Sequence, residues 1–214
     1  PVLCEEFMTG DEHSFDSVFV DGRPAWHSVS RYLPAPLTVL ENPWIQWCVL
    51  LPRDIGGEEY QEVREVGLRA VETLGMKTGL SHMEWFRRPD GSVAISEVGA
   101  RPPGARITDL LSWAHDTNFY QLWARLMVTG EFEPPPRSYA CGAVYLRGMG
   151  RGRVTAIEGL EEAQQEMGHL VVDAQLPQQG TLASDSYEGE GTVIVRHPET
   201  AVVEMALAEL IARV

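Results

Sequence analysis

Glu84 and Glu97 lie on the two arms of a hairpin whose turn reads Pro89-Asp90-Gly91. Proline presets one turn dihedral, Asp bonds its own backbone and Gly accepts positive φ, so this turn has a mechanism. Alternation along the arms puts Glu84 on a face with His82 and Phe86, and Glu97 on a face with Ile95 and Gly99. Where the register lets the two acids meet, their like charges repel unless a cation neutralises them. Hard oxygen ligands on a sheet suit Mg2+ or Mn2+, and Mg2+ usually completes its shell with water and substrate phosphates. The plainer alternative is two solvated acids on a hairpin edge. Directly after Glu97 runs Val98-Gly99-Ala100-Arg101-Pro102-Pro103-Gly104-Ala105-Arg106, a Gly/Pro-shaped loop presenting two guanidiniums beside the acids. A guanidinium fork matches phosphate or carboxylate oxygens two at a time. A surface loop with arginines for solubility would look the same.

The elements around this hairpin follow from period and punctuation. Residues 2–8 read as a short strand. Residues 12–20 alternate and end at Asp21-Gly22, a hairpin signal whose return strand spans 23–33 and stops at Pro34 and Pro36. Residues 44–51 form an apolar strand between prolines. Over 58–74 the period becomes helical, with Val63, Val66, Ala70, Val71 and Leu74 on one side and Gly75 as the stop. The hairpin arms are 80–87 and 92–98, and helices are expected at 107–114 and 118–128. Pro134, Pro135 and Pro136 cannot continue a helix and mark a linker. Strands at 139–146 and near 153–157, a helix at 160–167, strands at 169–176 and 192–196 and a helix at 199–213 complete the chain. The expectation is α+β: an antiparallel sheet with helices over 1–133, then a small α+β unit over 138–214.

Composition bounds the function. The 214 residues include 44% hydrophobic and 22% charged residues, enough apolar content for a packed core. A formal charge of −14 repels nucleic acid and anionic membrane, although a local basic pocket could still hold a phosphate. Among the 17 basic residues only Lys77 is a lysine. Cys4, Cys48 and Cys141 show neither metal nor disulfide spacing, and no apolar run approaches the ~20 residues of a membrane span. A cytoplasmic setting without membrane partners is the expectation. No His spacing suits a metal; His82, two residues from Glu84, is the least secure of the histidines as a plain core residue. Neither GxSxG nor GxxxxGK occurs.

Three pieces now stand in order: Glu5-Glu6-Phe7-Met8-Thr9-Gly10-Asp11-Glu12, the hairpin carrying Glu84 and Glu97, and the Gly99-Ala100-Arg101 loop. Together they resemble the ATP-grasp superfamily of carboxylate–amine and carboxylate–thiol ligases over roughly residues 2–130. The segment after the linker, ending in Tyr187-Glu188-Gly189-Glu190-Gly191 and His197-Pro198-Glu199-Thr200, resembles more weakly the small domain that closes many such ligases.

The resemblance implies roles. Glu5, Glu6, Phe7 and Met8 would lie along the adenine, with the Glu6 carbonyl and Met8 amide bonding its edge. Glu12 matches the acid on the ribose hydroxyls, and Phe86 would pack on the purine, a role that a plain core Phe rivals. Glu84 and Glu97 match the acids bridging Mg2+ (or Mn2+) on the ATP phosphates. Arg31 falls where a basic residue often reaches the phosphates, an exposed strand Arg being the alternative. Arg101 matches an arginine that steadies the acyl phosphate or the oxyanion formed as an amine attacks it, and Arg106 has weaker grounds beside substrate.

Two departures matter. Gly99 stands where many relatives carry a metal-binding Asn, and the Gln-Val-Glu-His run of biotin carboxylases is absent after Arg101. In the family, the lysines and the mobile Gly-rich loop over the phosphates precede the hinge strand. The expectation is therefore a ligase, or the C-terminal portion of one, acting on a small carboxylate and an amine, with the N-terminal half of the grasp supplied in cis or by a partner chain. A homodimer is compatible with this reading. The alternative is a non-catalytic nucleotide-binding module, or the split subunit of a larger carboxylase or ligase assembly such as a biotin carboxylase-like enzyme.

Overall fold

Asp21 and Gly22 both take positive φ, 49° and 78°, the geometry of a two-residue hairpin turn whose twist matches its strands. They join β1 (Asp11–Val20) to β2 (Arg23–Leu33). The computed structural model describes residues 2, 4–42, 44–148 and 152–214. After β2 come α1 (Pro36–Glu41), β3 (Trp47–Leu51) and α2 (Gln61–Thr73). The central hairpin is β4 (Gly79–Arg87) and β5 (Val93–Gly99), followed by α3 (Ile107–His115) and α4 (Phe119–Thr129). Beyond the prolines lie β6 (Ala140–Leu146), α5 (Leu160–Met167), β7 (Val171–Gln175), β8 (Gly191–His197) and α6 (Thr200–Arg213).

All eight strands belong to one antiparallel sheet in the order β5-β4-β1-β2-β3-β6-β8-β7. The seam between the segments before and after the prolines is a ladder: β3 pairs with β6, from Trp47 opposite Tyr145 to Leu51 opposite Cys141.

The alternation of apolar residues decides which helix covers which face. Phe15, Val29, Met83 and Trp85 turn to one face and meet Val63 of α2. Farther along the same face, Cys48, Leu50, Val144 and Val195 pack under α5 and α6 through Met167, Val203 and Leu207. The opposite face sends Val18, Tyr32, Trp47, Leu51, Leu80 and Tyr145 against Ile107, Leu110 and Leu111 of α3 and Phe119 of α4. Each fully buried Val, Leu, Ile, Phe or Met among these contributes roughly 1.5–3 kcal/mol of apolar transfer.

Three local expectations are corrected. The described residues of 2–8 form no strand, because β1 has both edges taken by β2 and β4 and the chain before it finds no ladder to join. The strand expected near 153–157 is reduced to one bridge, Arg153 to Leu182. Helix α1 arises where Pro34 and Pro36 read as a stop; Pro36 occupies the first helical turn, where its missing N–H costs nothing.

Candidate active site

The site grows from three cross-strand pairs. Along β1 and β4, Glu12 faces Phe86, Ser14 faces Glu84 and Asp16 faces His82. All six side chains lie on the face opposite Phe15 and Met83, because strand alternation separates them from the α2 side. On β2 the same row continues through Ser28 and Ser30, opposite Asp16 and Ser14.

Strict alternation would leave Glu97 on the α2 side with Ile95. A β-bulge prevents that. Trp85 pairs with Ile95 and Met83 with Val98, so Ser96 and Glu97 together oppose the single residue Glu84. Ile95 and Val98 both stay packed toward α2, and the extra residue carries Glu97 to the Glu84 side. The expectation that Glu97 shares a face with Ile95 is thereby corrected, while its shared face with Gly99, opposite His82, holds.

The electrostatics fit this juxtaposition. Burial raises the pKa of Glu84, and the charge of Glu97 adds to that rise, against His82 and Arg101. Glu12 is pushed up to about 7, first by burial and then by Glu84. Beneath them, His82 Nδ1 bonds Asp16 Oδ1 at 2.8 Å, with the His82 and Asp16 side chains 7% and 0% exposed. His82 Nε2 lies 4.0 Å from Glu84 Oε1. Burial works against a charged His82, but the Asp16 bond and charge outweigh it and raise its pKa. Ser14 Oγ donates to Asp16 Oδ2 at 3.4 Å. Arg137, the first residue after the prolines, donates to Ser28 Oγ and to the Pro52 carbonyl, both at 2.7 Å.

The other anticipated residues divide. Phe86 shares the face of Glu12 and Glu84. Arg101 is exposed, donates to the Pro102 carbonyl at 3.0 Å, and lies close enough for its charge to act on Glu84. Arg31 is not brought to the cluster. It sits opposite His13 and Leu50 on the other face, in a 2.7 Å ion pair with Glu204 of α6. Arg106 is engaged by Asp109 at 2.8 Å and Asp173 at 2.5 Å. Beside it the Tyr145 hydroxyl donates to the Ala105 carbonyl, fixing the loop to β6. Glu5, Glu6 and Phe7 are exposed, Phe7 at 75%, and Met8 Sδ accepts from Arg88 Nη2 at 3.6 Å.

Among the described residues no three His, Cys, Asp or Glu side chains form a group that could hold a metal ion. The fit to Mg2+ rests on the two-acid arrangement: a part-buried carboxylate raised further by a second one on the same face is a pair that a cation would neutralise, with phosphate oxygens and water completing the shell.

No protein-family model and no curated protein matches the sequence. Solved structures match nearly all of the chain. An L-amino acid ligase from Bacillus licheniformis superimposes with a TM-score of 0.76 at 23% identity, over 95% of this chain and 51% of that one. N5-carboxyaminoimidazole ribonucleotide synthetase from Thermotoga maritima gives 0.66 at 20% identity, over 96% and 52%. Carboxyaminoimidazole ribonucleotide synthase from Aspergillus clavatus, complexed with ATP, gives 0.56 at 14% identity, over 94% and 50%. The chain has the ATP-grasp fold. It spans about half the length of these structures. The antiparallel α+β sheet expected from the sequence is the one this ATP-grasp segment forms. No helix among its described residues is long and apolar enough to cross a membrane.

Sequence reasoning gave Asp16, Tyr32 and Tyr187 no place beside the acids. Asp16 continues the Glu12, Ser14 row, and its place opposite His82 was readable once the β1–β4 register was known. Tyr32 and Tyr187 both carry phenols pushed up by burial first, with Glu84 among the charges adding to it. Nothing local in the sequence links Tyr187 to Glu84.

Proposed function

We propose that this chain is the nucleotide- and metal-binding portion of an ATP-dependent carboxylate–amine ligase. The observation that carries the reading is the β5 bulge, which sets Glu97 beside Glu84 on a sheet of ATP-grasp fold. Glu84 and Glu97 would hold Mg2+ or Mn2+, which would supply charge neutralisation for phosphoryl transfer. Glu12 accepts the ribose hydroxyls, and Phe86, across from it, covers the purine. Residues Glu5 to Met8 lie along the adenine edge. Arg101 steadies the oxygens of an acyl phosphate and of the oxyanion formed when the amine attacks. Arg31 is left out, held by Glu204 on the other face. The N-terminal half of the grasp, in cis or on a partner chain, would supply the remaining phosphate contacts, in keeping with the half-length span of the match.

The test is carboxylate-dependent ADP release by the full natural gene product. Glu97→Gln is expected to lower it by roughly 100-fold or more with an unchanged circular dichroism spectrum. Retained turnover in that variant would refute the metal role. ATP binding with no ADP release against any carboxylate or amine would favour the non-catalytic module instead.

A further inference from the structure

The turn between β7 and β8 is built as a bracket. One carboxylate oxygen of Glu190 accepts from the Ser184 N–H at 2.5 Å and the other from the Gly148 N–H at 2.7 Å. The Glu190 N–H donates to the Leu146 carbonyl at 2.9 Å. Ser184 Oγ accepts the Ser186 N–H at 3.0 Å, and Ser186 Oγ accepts the Glu188 N–H at 3.1 Å. Gly189 has a φ of 62°, and a Cβ there would fall 2.3 Å from the Leu146 carbonyl oxygen. The bracket fixes the turn to the end of β6 and leaves its tip little freedom.

That tip is Tyr187. Its ring meets Trp47 edge-to-face, with centroids 4.8 Å apart and planes at 79°. Trp47 stacks on Tyr145 at 4.6 Å and meets Tyr32 at 5.5 Å. Tyr32 stands on the face that carries Ser14 and Glu84, so the aromatic row runs from the carboxylate cluster out to the turn. Tyr32, Trp47 and Tyr145 are buried, whereas Tyr187 is only part-buried. The Tyr145 hydroxyl donates to the Ala105 carbonyl, so the Tyr187 ring and the loop that carries Arg101 flank the same Trp47–Tyr145 pair; in keeping with this, burial, Glu188 and Glu84 raise the Tyr187 phenol and Arg101 lowers it.

The geometry points to Tyr187 as the specificity-determining residue for the carboxylate substrate, its ring walling the space beside Arg101 against which an apolar or aromatic substituent of the acid packs. Glu188, next on the turn, disfavours a second carboxylate there, so the class is monocarboxylic acids with apolar substituents rather than diacids. This assignment rests on the ligase reading above.

Calorimetric titration of the full natural gene product with L-phenylalanine, L-leucine, L-alanine and L-glutamate tests it. The wild type is expected to favour phenylalanine and leucine. Y187A should weaken these two by about tenfold and leave alanine nearly unchanged, while Y187F keeps the wild-type order. Should Y187A unfold, Y187L is expected to lose affinity for phenylalanine more than for leucine. Equal weakening of all four acids, or a wild type that binds none of them, overturns the assignment. ADP release with the same acids reads the ligase function separately: selective binding without turnover sinks that function and spares the wall. Turnover whose selectivity ignores residue 187 sinks the wall alone.

Discussion

Glu12 carries a clear signature at the residue scale. Its pKa of about 7 in the folded chain, against 4.5 for an unperturbed glutamate, arises from burial first and Glu84 second. The folded state therefore holds a proton there that the unfolded state has released. The resulting stability is fully present below about pH 4.5 and is lost as pH rises through about 7. Urea unfolding of ligand-free protein should show that fall, and Glu12→Gln should flatten it; an unchanged slope would contradict the raised pKa. Hydroxyl donors favour the ionised carboxylate, so adenosine binding should expel this proton. Calorimetry near pH 6.5 in buffers of differing ionisation enthalpy is expected to show proton release in the wild type and none from this group in Glu12→Gln. Three histidines act in the opposite sense: burial lowers His13, His27 and His115 to about 4. Their contribution is present above about pH 6.5 and lost as pH falls through about 4.

The bulge in β5 is the decisive element, because one extra residue changes the face of Glu97. Deleting Ser96 should restore simple pairing and leave Glu97 directly opposite Glu84, whereas deleting Glu97 should leave Ser96 there. The expected result is a folded protein in both cases, with metal-nucleotide binding kept without Ser96 and lost without Glu97; the reverse pattern would contradict this placement of the acid. The turn at Gly189 makes a separate prediction. Gly189→Ala forces a Cβ against the Leu146 carbonyl at positive φ, and a loss of roughly 1–3 kcal/mol in denaturant unfolding is expected. At this scale much was legible. The Asp21-Gly22 hairpin, the bounds of β2 and α5, and the helical period of α2 follow from turn chemistry and spacing. The bulge was not legible, since periodicity counts residues and cannot see two opposing one. Residues 2–8 carry strand-like alternation, yet the described ones join no ladder, and local pattern says nothing of partners. Arg31 had a suitable position in sequence, but the parity of β2 sends it to Glu204.

At the scale of the molecule, one eight-stranded sheet carries helices on both faces, and its polar row of Glu12, Ser14, Asp16, His82 and Glu84 lies on the face that α3 and α4 cover elsewhere. Ordered motifs in the sequence pointed to this architecture. The contribution of the 184–190 turn came only from contacts more than a hundred positions apart in the chain, such as Trp47 with Tyr187. The central claim is that this chain assembles the adenosine- and metal-binding surface of a ligase. Calorimetric titration of the chain with a non-hydrolysable ATP analogue, with and without Mg2+, tests it most directly. Binding that requires Mg2+ and disappears in Glu97→Gln is the predicted result. Binding indifferent both to Mg2+ and to Glu97 would contradict it.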